Sequence, residues 1–222
     1  MENYNLYISK VLKQLHPELG LTSDAKQTLN LILNTLVIEL TKQSIDLLRP
    51  INYKNPGKKL SETKTLSIKT METATLLLLT KELGRHAISE GRKVVSRLKS
   101  FKKEQDIRTS KADKAKLTFS VSKTENIIRA HLLKGENLSL DTGFYTTAIT
   151  EYICAELLEL SGNVCRDGKR VRIKTTDIKL SVINDPELEK LISALNISLP
   201  GVIPAFLLKN KYGYRPIALP LL

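Results

Sequence analysis

Tryptophan is absent from the 222 residues, aromatic side chains make up 5%, and glycine and proline number 10 and 8. That scarcity argues against a sheet sandwich with its many tight turns and favours a mainly helical protein. With only two cysteines, Cys154 and Cys165, a disulfide framework is excluded. Both fall on one predicted helix, separated by about 16 Å at ~1.5 Å of rise per residue, so they cannot bond while that helix is intact and read as small core residues. No run approaches the roughly 20 apolar residues of a spanning helix. The opening MENYNLYISK lacks a signal peptide's charged-then-apolar order, so a soluble intracellular protein is expected. His16, His86 and His131 stand far apart with no carboxylate or thiol at recurring ligand spacing, which speaks against a metal site. A glycine-rich phosphate loop, a Gly-x-Ser-x-Gly elbow and a paired acid and base are also missing. Neither a cofactor nor an enzymatic activity is expected.

Positive charge is what the chain has in excess. The net charge is +12, and both halves are basic when the chain is split after Ser110. Such charge favours a polyanion, whose condensed counterions are released when Lys and Arg replace them. Nucleic acid is the first candidate and an anionic membrane the second.

Residues 142–185 organise the rest. Ala148, Ile149, Tyr152, Ile153, Leu157, Leu160 and Val164 recur at three- and four-residue spacing, which predicts about six turns of helix with one apolar stripe. Gly168 offers a left-handed turn after it, and Arg166, Lys169 and Arg170 gather near its negative end. Val171, Arg172 and Ile173 form a short extended piece. Thr175 or Thr176 is expected to cap a short helix carrying Ile178, Leu180 or Ser181, Val182 and Ile183. Such a stripe cannot be buried by one short helix, so a partner of similar build is required.

The first half supplies it. A short helix over 3–15, ended by His16 and Pro17, precedes a long one over 23–48 with Leu29, Ile32, Leu33, Leu36, Val37, Leu40, Ser44 and Leu47 on one side. Residues 51–64 form a basic polar loop and 65–68 an extended piece. A short helix follows over 69–79, and Gly84 separates it from another over 85–101. Residues 102–116, almost without apolar side chains, read as a linker. A short helix over 126–133 then opens the second copy of the plan. Residues 186–195 suggest a last short helix, and the apolar, proline-rich remainder is expected to dock on a surface.

Several segments resemble histones. MENYNLYISKVLKQLHPELGLTSDA and ELGRHAISEGRKVV resemble the start and the extra C-terminal helix of the two-B type. LTFSVSK, TEYICAELLELSGNVCRDGKRVRIK, LSVINDPELEKL and NISLPGVIP resemble, in order, the two-A type. A fused two-B, two-A chain resembles the histone doublets of giant DNA viruses of the marseillevirus kind. The resemblance implies an all-α protein: two tandem histone folds forming an intramolecular handshake pseudo-dimer. Its parts would be a two-B fold with an extra helix over 1–101, a basic linker over 102–116, a two-A fold over 117–195 and a docking tail over 196–222. Fusion would make the pairing intramolecular, at high effective concentration.

The resemblance also implies the sites. The two-A half would contact DNA through Arg172, flanked by Lys169, Arg170 and Lys174, and through Lys123 and Arg129 on its first helix. The two-B half would offer Lys64 and Thr65, with Lys10 and Lys13 on its first helix. Residues 137–143 carry Asp141 and no arginine where the family has one, so weaker contact is expected there. An acidic patch would comprise Glu82, Glu90, Glu151, Glu156, Glu159, Asp185 and Glu187, depleted by Pro186. Asn196, Gly201, Val202, Ile203 and Pro204 would dock on partner histones. The family's long basic N-terminal tail is expected to be missing. The implied partners are double-stranded DNA, a doublet of the three-and-four type and a second copy of the chain, within the virion and the infected cell. The alternative is a histone-fold pair serving as a transcription-complex or protein-interaction module.

Overall fold

Where the sequence predicts two long amphipathic helices, the computed structural model has two helices crossing, each covered by elements of both halves. It describes residues 1–48, 65–101, 113 and 115–202. The 51–64 insertion, Lys64, most of the linker and the tail from Ile203 onward lie outside the described residues. The first half comprises α1 (Asn5–Leu15), β1 (Gly20–Leu21), α2 (Ser23–Leu48), β2 (Thr65–Leu66), α3 (Ile68–Leu78) and α4 (Lys81–Phe101). The second repeats the plan as α5 (Val121–Arg129), β3 (Asn137–Leu138), α6 (Leu140–Asp167), β4 (Arg172–Ile173), α7 (Thr175–Asn184) and α8 (Pro186–Ala194).

The halves interlock head to tail. β1 pairs in parallel with β4, Gly20 opposite Arg172, and β2 with β3, Thr65 opposite Asn137. Each first loop therefore lies beside the other half's second loop. The principal core draws on both halves: Leu29, Ile32, Leu33, Leu36 and Leu40 of α2 are fully buried with Ile149, Ile153, Leu157 and Leu158 of α6. Each such side chain contributes roughly 1.5–3 kcal/mol on burial. A smaller cluster joins Val94 and Leu98 of α4 to Ala115, Val121, Phe144 and Ala148.

The single stripe expected on α6 is corrected at the helix's start; beyond Thr150 one buried side persists, with Tyr152, Leu160 and Val164 of the expected stripe half-buried beside it. Nine consecutive residues from Thr142 to Thr150 are buried, because α4, α5 and α3 cover its start from different sides. Threonine makes this tolerable. Thr146, Thr147 and Thr150 each donate their hydroxyl to the carbonyl four residues back at 2.8 Å, leaving only methyl groups to pack. Two glycines permit the close crossings. A Cβ on Gly91 would lie 2.5 Å from the Tyr145 ring, and one on Gly162 would lie 2.3 Å from His16.

Other boundaries shift for identifiable reasons. Gly84 does not break a helix: α4 starts at Lys81, where the positive φ of 50° falls, and Gly84 lets the Leu79 carbonyl approach. α5 starts at Val121, five residues before the expected start, and ends at Arg129. Lys169, not Gly168, takes the left-handed turn after α6, with φ of 52°. Neither Thr175 nor Thr176 caps α7; Lys174 is its N-cap residue, and its backbone N–H donates to Asp177 Oδ2 at 2.9 Å. Ser181 rather than Leu180 faces inward, while Leu47 is 39% exposed at the end of α2.

Asp177, 2% exposed, also accepts two bonds from the Arg170 guanidinium, at 2.6 and 2.7 Å. This fork locks the loop carrying β4 onto α7. Arg170→Ala is expected to cost about 3 kcal/mol by stranding a buried carboxylate, and Lys169→Ala under about 0.5 kcal/mol, both read from urea unfolding. Equal costs would contradict the assignment of the lock to Arg170.

Candidate nucleic-acid interface

The two strand pairs build two rims. At the first, Gly20 N–H donates to the Val171 carbonyl at 2.9 Å and Thr22 N–H to that of Ile173 at 3.1 Å. Gly20 lies against the Arg172 side chain, whose Cγ would sit 3.5 Å from an added Cβ. Arg172, Lys174 and Lys169 are all exposed. α2 and α7 both begin directly after these strands, so the N–H-rich, positive ends of two helices converge beneath the same cations. An anionic backbone laid along this edge meets fixed dipoles and mobile charges together.

The second rim is poorer in charge. Ser139 N–H donates to the Leu66 carbonyl at 3.0 Å, and the N-termini of α3 and α6 converge there. Thr65 and Asn137 are exposed at the edge, and Lys64 lies outside the described residues. Lys69, in the first turn of α3, and Lys134, in the loop before β3, are exposed lysines near this rim that the resemblance did not single out. Their signal was only proximity to β2 and β3, and that pairing is tertiary.

Between the rims run α1 and α5. Lys10 and Arg129 are exposed there. Lys13 is tied to its own loop, donating to the carbonyls of Pro17 at 2.6 Å and Leu19 at 2.9 Å. Lys123 is paired with Glu2 at 3.0 Å. Of the candidate DNA-binding set, Lys10, Lys13, Arg129, Lys169, Arg172, Lys174 and Thr65 are exposed, Lys13 with its ammonium on those two carbonyls. Arg170 is half-buried, with two of its N–H groups taken by Asp177.

The candidate acidic surface is largely engaged by local partners. Asp185 caps α8, accepting from the N–H groups of Glu187 and Leu188 at 2.8 Å each. Glu187 reaches across to the first half and accepts from Leu83 N–H at 2.7 Å. Glu159 lies 3.3 Å from His16 Nε2, and His16 is buried against Gly162. Glu82 pairs with Arg85 and Glu90 with Lys93, both at 2.6 Å. Glu156 lies beside the Tyr152 phenol, which burial and that carboxylate push up. Glu151 accepts from Phe119 N–H at 2.8 Å. Burial, partly offset by that bond and by contacts to Thr118, raises its pKa above the ordinary 4.5.

The docking candidates divide. Asn196 and Gly201 take positive φ, 53° and 105°, and Gly201 accepts from Lys179 Nζ at 2.7 Å. Leu199 is buried in this chain's own core. The start of the tail is therefore laid along α7, and Val202 is exposed at 87%. Ile203 and Pro204 lie outside the described residues. Among the described residues no group of three or more His, Cys, Asp or Glu could hold a metal ion, and no helix is long and apolar enough to cross a membrane.

Two helix–strand–helix–strand–helix units clasped loop to loop define a histone-fold pair. A histone from Methanopyrus kandleri matches with a TM-score of 0.50 at 17% identity, covering 84% of this chain and 98% of that one. The histone doublet of the two-B and two-A types from Melbournevirus is 31% identical over 205 residues, which span 90% of this chain and 69% of the relative. Histones of the two-A type from Candida albicans and Kluyveromyces lactis are 38% identical over 111 residues and 39% over 98, spanning 47% and 43% of this chain and 81% and 72% of theirs. No protein-family model matches. The chain belongs to the two-B, two-A histone doublets, structural proteins of chromatin and DNA packaging.

Glu151 yields a pH prediction. Because its folded pKa is raised, the native state holds a proton that the unfolded chain has released, and stability falls as pH rises through the window above 4.5. Glu151→Gln should flatten the thermal midpoint against pH in that window and leave the variant at least as stable as the wild type at neutral pH. Superimposable profiles would contradict it.

Proposed function

We propose that this doublet wraps viral double-stranded DNA into nucleosome-like particles, using phosphate and minor-groove contacts that do not select sequence. The observation that carries the reading is the β1–β4 rim, where Arg172, Lys174 and Lys169 stand exposed over two converging helix N-termini. Oriented N–H groups and cations together attract phosphate whatever base it carries, which suits wrapping without sequence readout. A doublet of the three-and-four type completes the particle, with a second copy of this chain. An apolar ledge supports a protein partner of that kind: Leu47, Leu76 and Leu77, at the ends of α2 and α3, are 39%, 56% and 64% exposed. The engaged acidic surface leaves little for an arginine-anchored factor, and Asn196, Gly201, Val202, Ile203 and Pro204 serve as the docking segment. The virion and the infected cell are the proposed sites of action.

Mixed with DNA and the partner doublet, the protein should give discrete protected fragments on micrococcal nuclease digestion; a smooth smear contradicts wrapping. Sequence-selective binding in the presence of bulk DNA would favour a transcription-type module instead. Affinity should fall steeply with salt, and Arg172→Ala should reduce the slope of log affinity against log salt by about 0.9, while Arg170→Ala leaves it unchanged. Leu77→Glu should retain binding to bare DNA and lose assembly with the partner doublet, as read by sedimentation; retained assembly would remove the ledge from the account.

A further inference from the structure

The backbone of Glu2 is clasped from both sides. Its N–H donates to Asn34 Oδ1 at 2.8 Å and its carbonyl accepts from Asn34 Nδ2 at 2.9 Å, with Asn34 fully buried in α2. Two residues on, Tyr4 N–H donates to Asn30 Oδ1 at 2.7 Å. The buried Tyr4 ring stacks on Phe119 with centroids 5.3 Å apart, and its hydroxyl meets Thr124 at 3.1 Å. This anchoring aims the Glu2 side chain at the face of α5. One carboxylate oxygen lies 3.0 Å from Lys123 Nζ and the other 3.0 Å from Asn126 Nδ2.

An ammonium and an amide one turn apart, each meeting one oxygen of a singly charged, two-oxygen group, form an arrangement that a phosphodiester's two non-bridging oxygens also satisfy. The position suits that ligand. Lys123 and Asn126 lie on α5 in line with Arg129, which is exposed, and the Glu2 and Lys123 side chains keep 25% and 31% exposure, so solvent and anions reach them. Ion pairs this accessible are weak enough for another anion to compete. The carboxylate is held below its ordinary range first by Asn126 and then by Lys123, so it stays charged at neutral pH.

We propose that Lys123 and Asn126 form a phosphate seat that the Glu2 carboxylate fills in the free protein, so that DNA gains this contact only by displacing an internal anion. The proposal rests on the wrapping reading above and adds to it a graded response: the rim at Arg172 engages phosphate directly, while the seat on α5 engages by exchange. Glu2 is then a residue that sets how tightly DNA is held, without touching DNA itself.

The test uses the full chain, a short mixed-sequence duplex and a series of salt concentrations, with Glu2→Gln, Lys123→Gln and the double variant. Glu2→Gln keeps the backbone clasp and a neutral partner for Asn126; Glu2→Ala provides a second route to the same loss of charge, and far-ultraviolet circular dichroism checks that each variant is folded. Removing the carboxylate should steepen the salt slope by about 0.9 and tighten binding about eightfold at roughly 0.1 M salt, because Lys123 then meets phosphate with no freed carboxylate beside it to offset its charge. In the Lys123→Gln background the added slope should vanish. Firm wild-type binding with no change of slope in Glu2→Gln and Glu2→Ala, or the same change with and without Lys123, overturns the seat alone. Absence of duplex binding by the wild type at every salt concentration overturns the wrapping reading and the seat with it.

Discussion

The structure depends on the burial of α6, which its own half cannot provide. Twenty-eight residues long, it is packed by α5 and α7 from its own side and by α1, α2, α3 and α4 from the other half. The principal core has no division between halves: Tyr4, Leu36 and Met71 share it with Tyr145, Leu157 and Ile178. Every feature of the candidate interface follows from that crossing. Among the described residues the parallel strand pairs join one half to the other, and they set which loop faces which and where four helix N-termini emerge. A domain in which each half packed separately would carry the same cations with no common edge.

Charge of one sign is sorted by geometry into two roles. Arg170 is forked onto the buried Asp177, and Lys13, though exposed, donates to the carbonyls of the loop after α1, so both hold loops in place. Arg172, two residues from Arg170, is exposed because alternation in a two-residue strand sends Ile173 into the core and its neighbour to solvent. Carboxylates are sorted in the same way. Asp185, Glu187 and Glu151 serve backbone N–H groups that would otherwise be unsatisfied, so much of the acidic surface is structural. What the described part of the interface turns to solvent is therefore mainly cationic, with Lys10, Arg129, Lys169, Arg172 and Lys174 all exposed.

Much of this was legible in the sequence, and the misses have physical causes. The bounds of α2 were readable because Ser23 starts a clean apolar period that runs to Leu48. The handshake of the two halves was legible through the resemblance, which supplied a partner for a stripe that needed one. The start of α5 escapes a pattern reading because Thr124 and Glu125 are buried on it, so its inward face carries polar residues that hide the period. The all-round burial of the start of α6 was hidden for a related reason: threonines count as polar in a pattern yet satisfy themselves on the helix backbone. Arg170 and Arg172 are indistinguishable in a basic loop until Asp177, seven residues on, is placed by the turn. The engagement of Lys123 by Glu2 spans the whole first half, and no spacing rule reports it.

Expressing residues 1–101 and 117–222 as separate polypeptides tests the interlock most directly. If each half completes the other's core, each alone should show weak helicity and no cooperative unfolding, and mixing them should restore both in a one-to-one complex. Cooperative unfolding of either half alone, unchanged on mixing, would contradict the account.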